Sequence, residues 1–188
     1  MTYVKTYEEM PVDEHEIMRY AGVRQRTEAL DALLECCLEE ALDGFSYKVC
    51  YSLFPVTCTG TRVNFGFAEV RSENLARLLD GRTRALIFCA TVGMNIDRLI
   101  ARYSRSAPSR SLFFQAIGAE RIEALCDLFE SELAVGHTHR FSPGYGDLDL
   151  EFQRDIFRAL DCPKKIGVSL NGSLLMSPSK SVSAIIGV

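Results

Sequence analysis

Arg140, Tyr145 and the two glycines that bracket Tyr145 fall in the one stretch where the chain gives up amphipathic regularity, His137-Thr-His-Arg-Phe-Ser-Pro-Gly-Tyr-Gly146. The Arg140 guanidinium is a planar fork of N–H donors, suited to holding a carboxylate or phosphate through two parallel hydrogen bonds. Pro143 fixes its own φ and pushes Ser142 towards extended geometry. Gly144 and Gly146 can take backbone angles closed to other residues and let a ligand approach the main chain. These residue types at this spacing describe a binding loop with an anion clamp. They also describe a surface turn whose Arg140 is solvated and whose Tyr145 covers part of the core.

Other constellations offer less. His137 and His139 present two imidazoles, but the chain has three His in all and no thiolate or carboxylate cluster at ligand spacing, so solvated loop histidines are expected. The seven Cys form no Cys-x-x-Cys pair; Cys36, Cys37, Cys89 and Cys126 lie in apolar runs and are expected to be buried reduced thiols, with no metal centre. Ser177-Pro-Ser-Lys180 has the spacing of a Ser-x-x-Lys nucleophile, yet it lies between two predicted strands instead of at a helix start, and the companion motifs are missing. Thr91-Val92-Gly93 is a strand-to-helix turn without the glycine pattern of a phosphate loop. With 21 Lys plus Arg against 25 Asp plus Glu the formal charge is -4, and no basic run supplies a nucleic-acid surface. The longest clearly apolar segment, 85–92, falls far short of the ~20 residues of a spanning helix. Met1 to Glu16 is polar and acidic, unlike a signal peptide, so no membrane association and a cytoplasmic location are expected.

A loop of this kind needs a scaffold, and hydrophobic periodicity predicts one. With 47% hydrophobic and 24% charged residues, the 188-residue chain fits one domain spanning 1–188. A helix is predicted over 13–20, with Asp13 as N-cap, Glu16 in a capping-box position and Gly22 at its end. A second, over 24–42, carries Leu30, Leu33, Leu34, Cys37, Leu38 and Ala41 on one stripe. The period then changes to two over 45–53, describing a strand with one face on a core that ends at Pro55. Residues 57–70 read as two short strands of a meander, and Ser72 caps a helix over 73–79. Arg84–Thr91 reads as a buried central strand, followed by a helix over Asn95–Tyr103. The longest helix, 109–133, contains Gly118, which predicts close packing by a neighbouring backbone. A helix over 150–160 follows the loop. Residues 166–170 and 173–176 flank Asn171-Gly172 as a type I′ hairpin, and 181–188 adds a last strand. The fold class is α+β: a twisted, mainly antiparallel sheet with long helices covering one face.

Arg140-Phe-Ser-Pro-Gly144-Tyr145, followed by Ile166-Gly-Val-Ser-Leu-Asn-Gly-Ser-Leu-Leu-Met176-Ser-Pro178-Ser-Lys-Ser181-Val-Ser183, resembles the activation (reactivation) domain of cobalamin-dependent methionine synthase. The Arg-x-x-x-Gly-Tyr and Met-x-Pro-x-x-Ser-Val-Ser elements are ordered and spaced as in that family. The resemblance is strong from about residue 137 onward and diffuse before it. It implies a module that binds S-adenosylmethionine and presents its methyl group to a cobalamin held by a partner protein, with one electron from a flavodoxin-type donor. In that reading Arg140 pairs the ligand carboxylate, Ser142 and Gly144 offer backbone groups, and Tyr145 contacts the ligand with its ring or hydroxyl. Asp147 and Asp149, from charge alone, are candidates for the ligand's amino or ribose hydroxyl groups. Two departures stand out: no counterpart of the family's acidic residue from an N-terminal aromatic segment, and no continuation into its later Tyr-bearing segment. With no cobalamin-binding element in the chain, reactivation is expected to occur between separate proteins. The competing reading is a non-enzymatic accessory module that docks on a corrinoid protein or binds another adenosyl ligand.

Overall fold

The computed structural model describes residues 1–133 and 136–188. The chain opens with a strand, β1 (Tyr3–Tyr7), where the sequence suggested only a polar segment. Helix α1 (Glu14–Tyr20) starts at Asp13, whose side chain accepts from the Glu16 N–H. The reciprocal half of the predicted capping box is absent, because the Asp13 N–H donates to Glu120 at 3.1 Å and Glu16 pairs with Arg19. Helix α2 (Glu28–Ala41) begins later than predicted, at Thr27, whose hydroxyl caps Leu30. It buries Leu34, Cys37 and Ala41 fully, and Leu30, Leu33 and Leu38 in part.

Strand β2 (Tyr47–Pro55) leads into a meander of three strands instead of two, β3 (Thr57–Thr59), β4 (Arg62–Asn64) and β5 (Glu69–Arg71). Ser72 caps α3 (Glu73–Leu78), then β6 (Arg84–Thr91) and α4 (Asn95–Tyr103) follow with the predicted bounds. The long helix α5 (Pro108–Ser131) carries Gly118, and what a Cβ there would strike is side chain rather than backbone: Lys180 Cγ at 2.9 Å and Ile96 Cγ1 at 3.0 Å.

Helix α6 (Phe152–Leu160) is followed by a short helix that the sequence reading missed, α7 (Cys162–Ile166). Asp161 turns left-handed at φ 55 and Pro163 suits a first turn, so the helix restarts and takes up Ile166, which was expected to begin a strand. The hairpin is formed by β7 (Ser169–Leu170) and β8 (Met176–Ser177), across a wider loop than the predicted type I′ turn. Asn171 Oδ1 accepts from Ser173 N at 2.9 Å and Leu175 N at 3.0 Å, and the positive φ falls on the buried Leu174 instead of on Gly172. Strand β9 (Ser181–Gly187) closes the chain.

The main sheet runs β1-β2-β6-β9 and every neighbouring pair is antiparallel. Alternation along the central β6 sends Leu86, Phe88 and Ala90 to one core, with α1, α2, α4 and α5, and Ala85, Ile87 and Cys89 to a second, with α3, α6 and α7. Both faces are therefore covered, not one, which explains why β6 reads as a continuous apolar run. Each fully buried side chain such as Ile87 or Phe88 contributes roughly 1.5–3 kcal/mol. The outer edge of β9 receives the segment before the candidate loop: Thr138 N donates to Gly187 O at 3.0 Å, and Phe141 exchanges both backbone bonds with Ile185 at 2.9 Å.

Candidate functional site

Beyond Phe141 the loop leaves the β9 edge, and a cavity of about 390 Å³ opens between them. One wall is Arg140 to Pro143 with Tyr145, and the facing wall is Ser181 to Ser183 of β9. Glu123 of α5, Gln153 of α6 and Met176 of β8 close the ends. The volume lies within the range of small-molecule pockets.

Arg140 is not free in this wall. Its Nη1 contacts Asp127 at 2.6 Å and Glu130 at 2.5 Å, and its Nη2 contacts Glu123 at 2.5 Å. Those three acids recur at four and three residues and form one stripe of α5, a signal readable in the sequence. Burial opposes the charge of Arg140, but the hydrogen bonds to Asp127, Glu130 and Glu123 outweigh it and hold the guanidinium above its ordinary value. Of five N–H donors, three are used by the acids, leaving Nε–H and one on Nη2 without a partner among the described residues. Three carboxylates against one guanidinium also leave this end of the cavity with excess negative charge.

Ser142 and Tyr145 line the cavity, and Tyr145 is 68% exposed. The turn is closed by Tyr145 N donating to Ser142 O at 3.2 Å and Gly144 N donating to Leu148 O at 2.9 Å. The expectation that Ser142 and Gly144 offer backbone groups is corrected on those two points: the Ser142 carbonyl and the Gly144 N–H are spent inside the loop. Gly144 does not line the cavity. It is required by the turn itself, at φ 88 with Leu150 Cδ1 3.2 Å from where a Cβ would stand.

Asp147 does not line the cavity. Its carboxylate accepts from the Ser72 hydroxyl, from Glu73 N at 2.6 Å and from Asn74 N at 3.3 Å, so it caps α3. The Ser72 bond, then those backbone N–H groups, hold its pKa below the usual carboxylate value. Asp149 accepts from Glu151 N at 2.9 Å at the start of α6 and likewise lies outside the cavity wall.

Gln153 was not singled out in the sequence, and Ser181 and Ser183 entered only as positions of the Met176 to Ser183 element, without a role at the site. Gln153 sits on the buried face of α6 and donates to Leu174 O at 2.9 Å. Ser181 bonds Thr91 Oγ1 at 2.8 Å. Ser183 is 2% exposed, and its hydroxyl has no partner among the described residues. The available signal was polarity out of place: a Gln between Phe152 and Ile156, and serines at alternate positions of a strand that continues as Ile185. Cys36 is exposed, contrary to expectation, while Cys37, Cys89 and Cys126 are buried. Among the described residues no group of three or more His, Cys, Asp or Glu is placed to hold a metal ion, and no helix is long and apolar enough to cross a membrane.

No family model matches this sequence, and no curated protein is similar to it. Among solved structures the chain is similar to the MetH reactivation domain bound to AdoHcy, with TM-score 0.70 and 12% identity, over 100% of this chain and 78% of that one. The mainly antiparallel sheet with packed helices is the fold of that reactivation domain, as the resemblance implied.

Proposed function

We propose that this chain binds S-adenosylmethionine in the cavity between the 140–145 loop and β9. In this reading it supports reductive remethylation of a cobalamin held by a separate corrinoid protein, such as a cobalamin-dependent methionine synthase. One observation carries the reading: the two sequence elements that bear the family resemblance, more than thirty residues apart, supply the facing walls of one cavity. The fold likeness supports it, since the similar structure is described as bound to AdoHcy. Arg140, held in place by α5, offers Nε–H and its remaining Nη2 donor to the ligand carboxylate. Ser142 and Tyr145 border the ligand, and the excess acid of Glu123 and Asp127 favours its cationic centres. Cobalt chemistry is supplied by the partner and the electron by a flavodoxin-type donor, so this chain contributes orientation and electrostatics and needs no nucleophile of its own.

A second reading, an adenosyl ligand without a free carboxylate, is favoured by the three acids already on Arg140. Calorimetry separates the two. Binding of S-adenosylmethionine weakened by about 1.5–3 kcal/mol in Arg140→Ala supports the carboxylate clamp. Unchanged affinity favours the second reading, and absence of heat with any adenosyl ligand at millimolar concentration refutes both. The role in reactivation is tested by mixing inactive corrinoid enzyme, a one-electron reductant and labelled methyl donor, with and without this protein. Equal label transfer to cobalt in both mixtures leaves only the accessory-module reading.

A further inference from the structure

Ser183, on the cavity wall, carries several unused hydrogen-bonding groups. Ile185 exchanges both of its backbone bonds with Phe141, so its N–H and C=O point outward, away from β6. Strand alternation repeats that direction two residues earlier, so the Ser183 N–H and C=O also point outward, where the loop has already departed. Neither group has a backbone or side-chain partner among the described residues. The Ser183 hydroxyl is likewise unpartnered, in a residue only 2% exposed. Buried polar groups are nearly always paired, and three unpaired on one residue beside a cavity mark a place that a ligand completes.

We infer that the outer edge of β9 at Ser183 is the recognition edge for the aminopurine ring of the ligand, an assignment that rests on reading the cavity as an adenosyl site. In an extended residue the N–H and C=O lie side by side and face one way, which is how an opposing strand residue exchanges two bonds with it. The Watson–Crick edge of adenine presents the complementary pair. Ser183 N–H donates to ring N1, and Ser183 C=O accepts from the exocyclic amine. The hydroxyl adds a third contact. Arg140 and Glu123 line the same cavity and are left for the ligand's charged tail. With the ribose held in place, an inosine ring sets its N1–H against the Ser183 N–H and its O6 against the Ser183 carbonyl. The edge therefore selects adenosyl over inosyl compounds.

The test compares S-adenosylhomocysteine with its deaminated form, S-inosylhomocysteine, by calorimetry on the wild type and on Ser183→Ala. The inosyl compound is expected to bind about 100-fold more weakly to the wild type, because two matched bonds become two opposed ones. Ser183→Ala is expected to weaken the adenosyl compound about tenfold, while the ligand-free variant melts at the wild-type temperature or above it, since a hydroxyl without a partner has been removed. Amide spectra of the wild type should show the Ser183 N–H shifting and exchanging more slowly at saturation with the adenosyl compound. Equal affinity for the two compounds, or a Ser183 amide that does not respond at saturation, overturns the edge assignment and leaves the adenosyl site standing. No heat with either compound overturns both.

Discussion

Asp147 and Arg140 lie seven positions apart, and the fold spends their charges differently. Asp147 is held below its ordinary carboxylate pKa of 3.8, first by the Ser72 hydroxyl and then by the N–H groups of Glu73 and Asn74. A depressed folded-state pKa means stability that is present above the unfolded value and lost as pH falls through the folded one. Asp147→Asn should therefore lower the melting temperature at neutral pH. The gap to the wild type should close as pH drops below 3.8, a trend that thermal melts across pH would show. Arg140→Ala has a structural consequence as well as a binding one. It leaves Glu130, whose side chain is only 14% exposed, beside Asp127 and Glu123 with no cation among them. A loss of about 1–2 kcal/mol in denaturant unfolding is expected, so affinity in this variant is best read at a temperature well below its melt.

At the scale of elements, α5 organises the N-terminal half through a pair that no motif announces. Arg121 is fully buried, forks onto Glu120, and donates to the carbonyls of Met10 and Pro11, while Glu120 accepts from Asp13 N. The segment between β1 and α1 is thereby fastened to the middle of α5. Arg121→Ala would strand a buried carboxylate and should cost about 3–5 kcal/mol, whereas Glu120→Leu with Arg121→Met should recover much of it. Chemical denaturation of the single and double variants checks this, and equal losses in both would refute it. Gly118 on the same helix admits Lys180 and Ile96, so Gly118→Val should destabilise by about 1–3 kcal/mol through overpacking.

Over the whole molecule, two covered sheet faces bury most of the thiols. Cys37, Cys50, Cys89, Cys126 and Cys162 are buried, and only Cys36 and Cys58 are exposed. Burial pushes the Cys126 thiol up, and the Cys162 contact together with burial does the same to Cys50. Maleimide labelling of the native protein should modify Cys36 and Cys58 alone, with all seven reacting after denaturation. Rapid labelling of the other five in native buffer would mean that one sheet face opens.

The sequence by itself determined the elements whose local pattern suffices: the apolar run of β6, the capped starts of α1 and α3, the stripe of α2, and the α+β class. It also marked the loop around Arg140 and Tyr145 as the place where a ligand could meet the chain. Tertiary structure alone decided what those residues are available for. Arg140 could not be read as triply paired without α5 beside it, and Asp147 could not be assigned to α3, because contacts between distant segments leave no local periodicity. Strand β1 escaped notice because Tyr3, Val4 and Lys5 form an edge that buries little, and α7 because five residues show no helical period. The unpaired edge at Ser183 is the same kind of fact. Which backbone groups of a strand remain unpaired depends on where its neighbours stop, and only the folded chain settles that.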